Sequence, residues 1–510
     1  MSSILPSSAL GLPASLDYKL PPSLSDDSKA YWVSIAPDGV NTVSASNLPI
    51  GSLTAFLSQL NPFNSQLITF TIPSGTSKSV FMDCRETSLN FRLTIQVTTA
   101  TNTPMTNHNL ISSAQSFFDA LTLYHNSIPI EAINGYNILA NQLLTSTVNS
   151  AEKFGGCSIA LGCDVNTQTG VDLPNGYTPQ TATAGGGVGY YYYNFSIPLI
   201  SVIGLNNPDR MFPIGSISNL QLQMQTAALL PFASYNSAAL TTAGAMNVTL
   251  DQFSLNLKYV DIGMASASLL HTTLNEGKIF MKTATWVQSA VNIPGGSAGQ
   301  LNLLYQIRNS SLKSLLIQNS VPNNASTGGI SPNGLYDGVN LAVTQFNVAV
   351  GGINYPQRPL DPSRRPAECF LAYLSALGYN GDYKKYGGYI TRSGYGASTN
   401  IASVTQVDSS MVVCGALSNC SRGDSSLSAF TPPATVGQII VSYPNTHFLG
   451  VDFEKSGGLL FNGVNTRSAP PIGNFYLNTG AVAAATSFAF GLVDCVLVVD
   501  TMSQTIQAFV

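Results

Sequence analysis

Apolar and polar residues alternate along many short segments of the chain. In residues 89–97, LNFRLTIQV, the alternation places Phe91, Leu93 and Ile95 on one face and Arg92, Thr94 and Gln96 on the other. Similar runs rich in Val, Ile, Thr, Tyr and Phe recur between clusters of Gly, Pro, Asn and Ser, at 66–75, 190–200, 220–227 and 253–262. This pattern predicts an antiparallel all-β architecture.

Two segments with helical spacing interrupt the predicted strands. Residues 135–147 and 365–378 each predict an amphipathic helix of about three turns. Each follows a predicted strand that runs into an Asn, an Ile and a Pro. The same order of elements therefore occurs twice.

The rest of the chain also indicates a duplication. Pro129 and Pro356 are 227 residues apart, and the final strands of the two halves begin at 253 and 490. A period of that size predicts two copies of one β-domain. We expect an N-terminal arm over residues 1–50, a first domain over 51–265 and a second over 266–510.

Each half carries a long polar stretch between its helix and its last strands. These stretches, at 148–189 and 379–438, are rich in Gly, Ser, Asn and Thr. Long loops in compact domains are uncommon unless they are functional. We expect both loops to emerge on the same side of the molecule and to be exposed.

Charged residues are scarce in this chain. Asp, Glu, Lys and Arg make up 9% of it, against roughly 25% in an average soluble domain. Because charge keeps protein surfaces apart in solution, this composition favours self-association. The net charge of −4 and the lack of a basic run argue against direct binding of duplex nucleic acid, and we expect no sequence-specific contact with nucleic acid.

The sequence offers little evidence of a targeting signal, a membrane span or a cysteine-based site. The first 20 residues lack the basic and apolar regions of a secretory signal, so we expect the protein to stay inside the producing cell. No apolar stretch is long enough to predict a membrane span. Seven cysteines, without the short spacing of zinc sites, are interpreted as reduced and mostly buried: Cys84, Cys157, Cys163, Cys369, Cys414, Cys420 and Cys495.

No residue is assigned a catalytic, cofactor-binding or metal-binding role. The four histidines, His108, His125, His271 and His447, have no catalytic or ligand spacing. We expect Glu131, just before the first helix, to complement that helix N-terminus rather than to act as an acid or base. The triplet Arg422-Gly423-Asp424 matches an integrin-binding motif but is short enough to arise by chance.

The order of these elements resembles the double jelly-roll major capsid proteins of the adenovirus, virophage and polinton-like lineage. The resemblance covers about residues 90 to 510 and is diffuse rather than a single diagnostic motif. The segments that carry it are 120–144 (ALTLYHNSIPIEAINGYNILANQLL), 193–215 (YNFSIPLISVIGLNNPDRMFPIG), 308–317 (RNSSLKSLLI), 348–378 (VAVGGINYPQRPLDPSRRPAECFLAYLSALG) and 446–458 (THFLGVDFEKSGG).

The resemblance implies an all-β fold of two tandem eight-stranded antiparallel jelly rolls, each with a short helix after a mid-domain strand. It also implies a non-enzymatic DNA-virus protein of the virion shell, assembled inside the host cell. Three chains would form a pseudo-hexameric capsomer that contacts other capsomers, a penton protein and minor or cement proteins. The loops at 148–189 and 379–438 would face outward, where a host receptor could bind them.

Two other classes of protein remain open at this stage. An exported β-sandwich lectin or adhesin would need a secretory signal, which the N-terminus does not offer. A β-rich glycan hydrolase would need a pair of converging carboxylates. The chain has 25 acidic residues in 510. Their spacing along the sequence neither supplies nor excludes such a pair.

Overall fold

The structure is a computed structural model. It describes residues 28–49, 63–99, 107–110, 113–148, 160, 188–206, 211–227, 232–235, 244–273, 277–321, 338–379, 390, 395, 446–455, 461–478 and 484–510.

The chain folds mainly into antiparallel strands. The strands up to residue 261 are β1 (Lys29–Ile35), β2 (Thr42–Pro49), β3 (Leu67–Ile72), β4 (Val80–Thr99), β5 (Asn107–Leu110), β6 (Phe118–His125), β7 (Ile128–Asn134), β8 (Val188–Pro198), β9 (Leu220–Thr226), β10 (Phe232–Tyr235) and β11 (Gly244–Asp261). The helix α1 (Tyr136–Thr147) follows β7, and 3-10 turns lie at Ala114–Phe117 and Ile214–Ser216. We call this part of the chain the first lobe.

A second set of strands follows the connecting helix α2 (Met264–Thr273). It comprises β12 (Lys278–Ile293), β13 (Gly299–Leu304), β14 (Leu312–Ser320), β15 (Val343–Val350), β16 (Ile353–Leu360), β17 (Phe448–Asp452), β18 (Ile472–Leu477), β19 (Ala485–Asp500) and β20 (Thr505–Phe509), with helix α3 (Pro366–Ala376) after β16. We call this part the second lobe. Helix α2 lies where the sequence predicted a boundary, and the division at 265/266 stays a prediction.

The two lobes share one strand order. In the first lobe, one sheet has the order β1-β11-β4-β8, with β2 also paired to β11, and the other has β3-β9-β6-β7. In the second lobe, the orders are β12-β19-β14-β17 and β13-β18-β15-β16, with β20 paired to β19. We call the strands in these four orders the principal strands, which leaves out β5, β10 and β20. When the principal strands of each lobe are counted from one to eight along the chain, with β1 and β2 together as the first, both lobes have the sheet orders 1-8-3-6 and 2-7-4-5. The predicted duplication of one β-architecture is confirmed.

The predicted alternation of faces is also confirmed. In β4, Phe91, Leu93 and Ile95 are buried while the residues between them are partly exposed. In β9, Leu220, Leu222 and Met224 are buried in the same way. Phe91 lies within 6.0 Å, between ring centroids, of four other phenylalanines: Phe117, Phe118, Phe195 and Phe253. Packed rings of this kind dominate the burial of apolar surface.

The predicted arm over residues 1–50 is wrong for residues 29–49. Strands β1 and β2 pair with β11 along its length, and Val43 and Ala45 are buried in the core. The segment between them contains Pro37 and an isolated bridge from Asp38 to Thr69. This interruption splits one long edge strand into two short pieces, so no steady period is visible in the sequence.

Buried apolar side chains form one large cluster in the first lobe and another in the second. The first cluster continues across the contact between the lobes, because it includes Met281, Leu497, Val499 and Ile506. The second cluster is made of second-lobe residues such as Tyr305, Ile307 and Phe346. The lobes therefore meet through a packed apolar contact. The polar groups around Glu131 lie next to it.

Candidate functional site at the contact between the lobes

Glu131 is a buried carboxylate at this contact. It lies on β7 and is 3% exposed. Its Oε2 accepts hydrogen bonds from the Ser201 hydroxyl and from the Val202 N–H at 3.0 Å, and its Oε1 accepts one from the Thr285 hydroxyl of β12 at 2.6 Å. Burial raises the pKa of Glu131, while these hydrogen bonds oppose that rise. Glu131 thus joins β7, the 201–202 turn and the second lobe.

The predicted role of Glu131 at the helix N-terminus is wrong. Helix α1 begins at Tyr136 after Gly135, has no side-chain cap and has no acidic residue in its first turn. Glu131 lies instead at the contact between the lobes, where the hydroxyls of Ser201 and Thr285 donate to its oxygens. Nothing in the local sequence marks Thr285, which is 154 residues away, as its partner.

Other groups extend this contact on both sides of Glu131. The Thr283 hydroxyl donates to the Asn206 carbonyl at 3.0 Å. The hydroxyls of Ser146 on α1 and Tyr373 on α3 are 2.6 Å apart. Gly135 has φ +58°, and a Cβ built there would lie 2.6 Å from Nε2 of Gln288. Gln288 of β12 therefore lies close to the turn before α1.

The contact joins different sides of the two lobes. We call the side formed by principal strands 1 and 2 the leading side and the side formed by strands 5 and 6 the trailing side. β7, on the trailing side of the first lobe, lies against β12, on the leading side of the second. The second lobe also contributes α3 and β17, because Tyr373, Ala376 and Phe448 belong to the cluster that continues from the first lobe.

Solved structures of viral proteins share this architecture. No protein-family model matches the sequence, and no curated protein matches it. The mavirus major capsid protein is 11% identical, with 100% of this chain and 95% of that chain covered and a TM-score of 0.53. A chain of the Sputnik virophage is 12% identical, with coverages of 98% and 92% and a TM-score of 0.55.

A third structure, the Faustovirus major capsid protein, is 8% identical, with coverages of 95% and 92% and a TM-score of 0.52. Each match spans both lobes. This chain is a double jelly roll. At identities this low the likeness shows the fold alone, and it confirms the fold class that the resemblance implied.

The histidines and carboxylates of the double jelly roll are the side chains that could act in acid-base chemistry. His125 is buried at the end of β6, with Asn126 beside its ring and a hydrogen bond to the Gln504 backbone of the second lobe, and burial lowers its pKa. His447 is buried in the second lobe, where its Nδ1 is 2.9 Å from the Tyr395 carbonyl and burial lowers its pKa to about 4. Asp494 is buried as well and accepts a hydrogen bond from the Ser311 hydroxyl at 2.6 Å. The three groups have different partners and are not brought together at one site.

Within the described residues, no three of the His, Cys, Asp and Glu side chains are grouped so that they could hold a metal ion. The side chains of His108 and His271 are not among those described. In the same part of the chain, no helix is long and apolar enough to span a membrane.

Three of the cysteines lie in the part of the chain that the structure describes. Cys84, Cys369 and Cys495 are all buried and form no disulfide with one another. Burial raises the pKa of Cys369 and of Cys495 to about 12, so both thiols are protonated at neutral pH. Cys157, Cys163, Cys414 and Cys420 lie outside the described residues, as do the triplet 422–424 and most of the loops 148–189 and 379–438.

Proposed function

We propose that this double jelly roll is a major capsid protein, that three copies form a pseudo-hexameric capsomer, and that these capsomers tile an icosahedral shell. The observation that carries the proposal is the repeated strand order of the two lobes. A chain with two similar lobes supplies six similar lobes when three copies close a ring. Six lobes around one axis suit a hexagonal lattice. The duplication would therefore allow three chains to occupy each hexagonal position.

The composition supports an assembly protein. With 9% charged residues, the exterior carries little repulsion between copies. Large obligate interfaces bury about 2,000–5,000 Å² and are depleted in charge at their centres. On this proposal the protein is non-enzymatic and resides in the virion shell.

In this proposal the main binding partner of each chain is another copy of the same chain. A penton protein at the five-fold vertices and minor or cement proteins would complete the shell. The loops 148–189 and 379–438 are the proposed outward surface, where a host receptor could bind. Direct sequence-specific binding of nucleic acid is not part of the role, because the chain carries a net charge of −4 without a basic run.

Negative-stain electron microscopy of the purified full-length chain tests this function. We expect particles with three-fold symmetry and six lobes, or closed shells built from them. A field of single two-lobed particles at micromolar concentration would contradict the proposal. A parallel assay of polysaccharide hydrolysis addresses the enzymatic alternative, and we expect no activity.

A further inference from the structure

The outer face of the first lobe carries an open depression of about 470 Å³ over β4, β8 and β11. The polar residues that line it are Asn90, Arg92, Asn194, Ser196 and Gln252. Phe91 and Phe195, which alternate with them along β4 and β8, are buried, so the polar side chains lie on the face away from the core. Small-molecule sites occupy about 300–1,000 Å³, and this depression has the size of such a site.

A β-bulge in β11 shapes one side of the depression. Two residues of β11, Gln252 and Phe253, stand opposite the single residue Phe91 of β4. Gln252 is exposed and has φ +53°, a left-handed conformation that is uncommon for a residue with a Cβ. Because a bulge redirects the side chain of its extra residue, Gln252 takes part in the lining instead of continuing the alternation of β11.

The shared strand order of the two lobes does not require this bulge. β19 is the strand of the second lobe that corresponds to β11, and it pairs with β12 over Lys278–Ile293 without a register shift. Where β19 pairs with β14, the extra residue lies on β14, at Lys313, and its ammonium is 2.7 Å from Glu454. The projecting amide of Gln252 is therefore a feature of the first lobe.

Arg92 is held in place within the depression by two neighbours. Its Nε and Nη2 donate to Oδ1 and Oδ2 of Asp251 at 2.8 Å each, and its guanidinium carbon lies 5.3 Å from the centroid of the Tyr192 ring. A guanidinium has five N–H donors, and the pair with Asp251 uses two of them. The carboxylate also neutralises the charge of Arg92, so the depression offers hydrogen-bond donors without attracting anions in particular.

The rest of the lining combines polar and apolar groups. The amides of Asn90, Asn194 and Gln252 can each donate and accept hydrogen bonds, and so can the Ser196 hydroxyl. Apolar surface comes from three further residues of the lining, Phe91, Ala160 and Phe195. A ligand that fits such a surface has many hydroxyl groups, apolar C–H faces and no net charge.

We propose that this depression, which we call the β4–β8–β11 site, binds a neutral carbohydrate. The sugar hydroxyls would exchange hydrogen bonds with Arg92, Asn194 and Gln252, and the C–H face of the sugar would pack on the apolar part of the lining. The site is built within one lobe of one chain. The proposal is therefore independent of the capsomer proposed above and adds a binding function to it.

Saturation-transfer NMR on the purified full-length protein tests the site. The neutral probes are methyl α-mannopyranoside, methyl β-galactopyranoside and methyl N-acetyl-β-glucosaminide, and the anionic probe is N-acetylneuraminic acid. The variants are Asn194→Ala and Gln252→Gly. The matched control is Asn302→Ala, which removes an exposed amide from β13 of the second lobe. Circular dichroism with thermal melting checks the folding of each variant.

We expect at least one neutral probe to bind wild type and Asn302→Ala equally. Asn194→Ala and Gln252→Gly should each weaken that binding about three- to tenfold, because each loses hydrogen bonds to the sugar. Glycine adopts a positive φ without strain, so Gln252→Gly should melt no lower than wild type, and its loss of binding cannot come from unfolding.

Three outcomes would overturn the proposal. One is that none of the neutral probes binds wild type, and another is that only N-acetylneuraminic acid binds. The third is neutral-probe binding of unchanged affinity in folded Asn194→Ala and Gln252→Gly, which would place the carbohydrate elsewhere on the protein. None of these results bears on the assembly state, which is measured separately.

Discussion

Glu131 is the residue on which the hydrogen bonding between the lobes is centred. It receives three hydrogen bonds, from Ser201, Val202 and Thr285, and each donor loses its partner if the carboxylate is removed. A buried donor without a partner costs about 1–3 kcal/mol. Glu131→Ala should therefore lower the free energy of unfolding by about 3 kcal/mol or more, as measured by chemical denaturation. Glu86→Ala, at a half-exposed acid, is the control and should change it by less than about 0.5 kcal/mol.

The raised pKa of Glu131 predicts a pH dependence of stability. The folded state holds the proton more tightly than the unfolded state, whose pKa is near 4.5. The stabilisation is therefore complete below that pH and is lost as pH rises through the folded pKa. Relative to Glu131→Gln, which does not titrate, wild type should lose stability over this range in parallel urea titrations. If the difference in unfolding free energy between wild type and Glu131→Gln stays constant with pH, then burial does not favour the neutral form of Glu131.

At the scale of single elements, the turn before α1 is held by Gly135. Its left-handed conformation, φ +58°, disfavours a side chain, and a Cβ would collide with Gln288 of β12. Gly135→Ala should lower the melting temperature mainly through this backbone conformation, which costs about 1–2 kcal/mol, because the flexible end of Gln288 can move aside. Gln288→Ala in the same chain should therefore restore little of the loss. Full recovery with Gln288→Ala would contradict a backbone origin of the effect.

The helices α1 and α3 are linked by one hydrogen bond between side chains. Ser146 and Tyr373 are both buried, and their hydroxyls are 2.6 Å apart. A double-mutant cycle with Ser146→Ala and Tyr373→Phe should give a coupling energy of about 0.5–1.5 kcal/mol in unfolding measurements. Coupling near zero would indicate that the helices are joined by packing alone.

Elements with a regular pattern could be predicted from the sequence. The segments LNFRLTIQV and LQLQMQT show their alternation directly, and helices predicted at 135–147 and 365–378 are observed at Tyr136–Thr147 and Pro366–Ala376. Strands β1 and β2 were missed because a turn at Pro37 to Gly39 breaks their period. The partners of Glu131 were missed because local spacing carries no information about a contact 154 residues away in the chain.

At the scale of the whole molecule, the repeated strand order gives the chain a direction. β7 of the first lobe lies against β12, whereas its equivalent in the second lobe, β16, buries only Leu360, so the two ends of the molecule expose different surfaces. Identical exposed surfaces would favour two-fold dimers, whereas different ones favour rings. With the proposed capsomer, we therefore expect a closed ring of three chains rather than a two-fold pair.

The most direct test of this central claim is the mass of the purified full-length protein by native mass spectrometry. We expect a dominant species of three times the chain mass of 53.7 kDa, which persists on dilution to the nanomolar range. A dominant monomer, or a dimer that does not add a third chain, would contradict it.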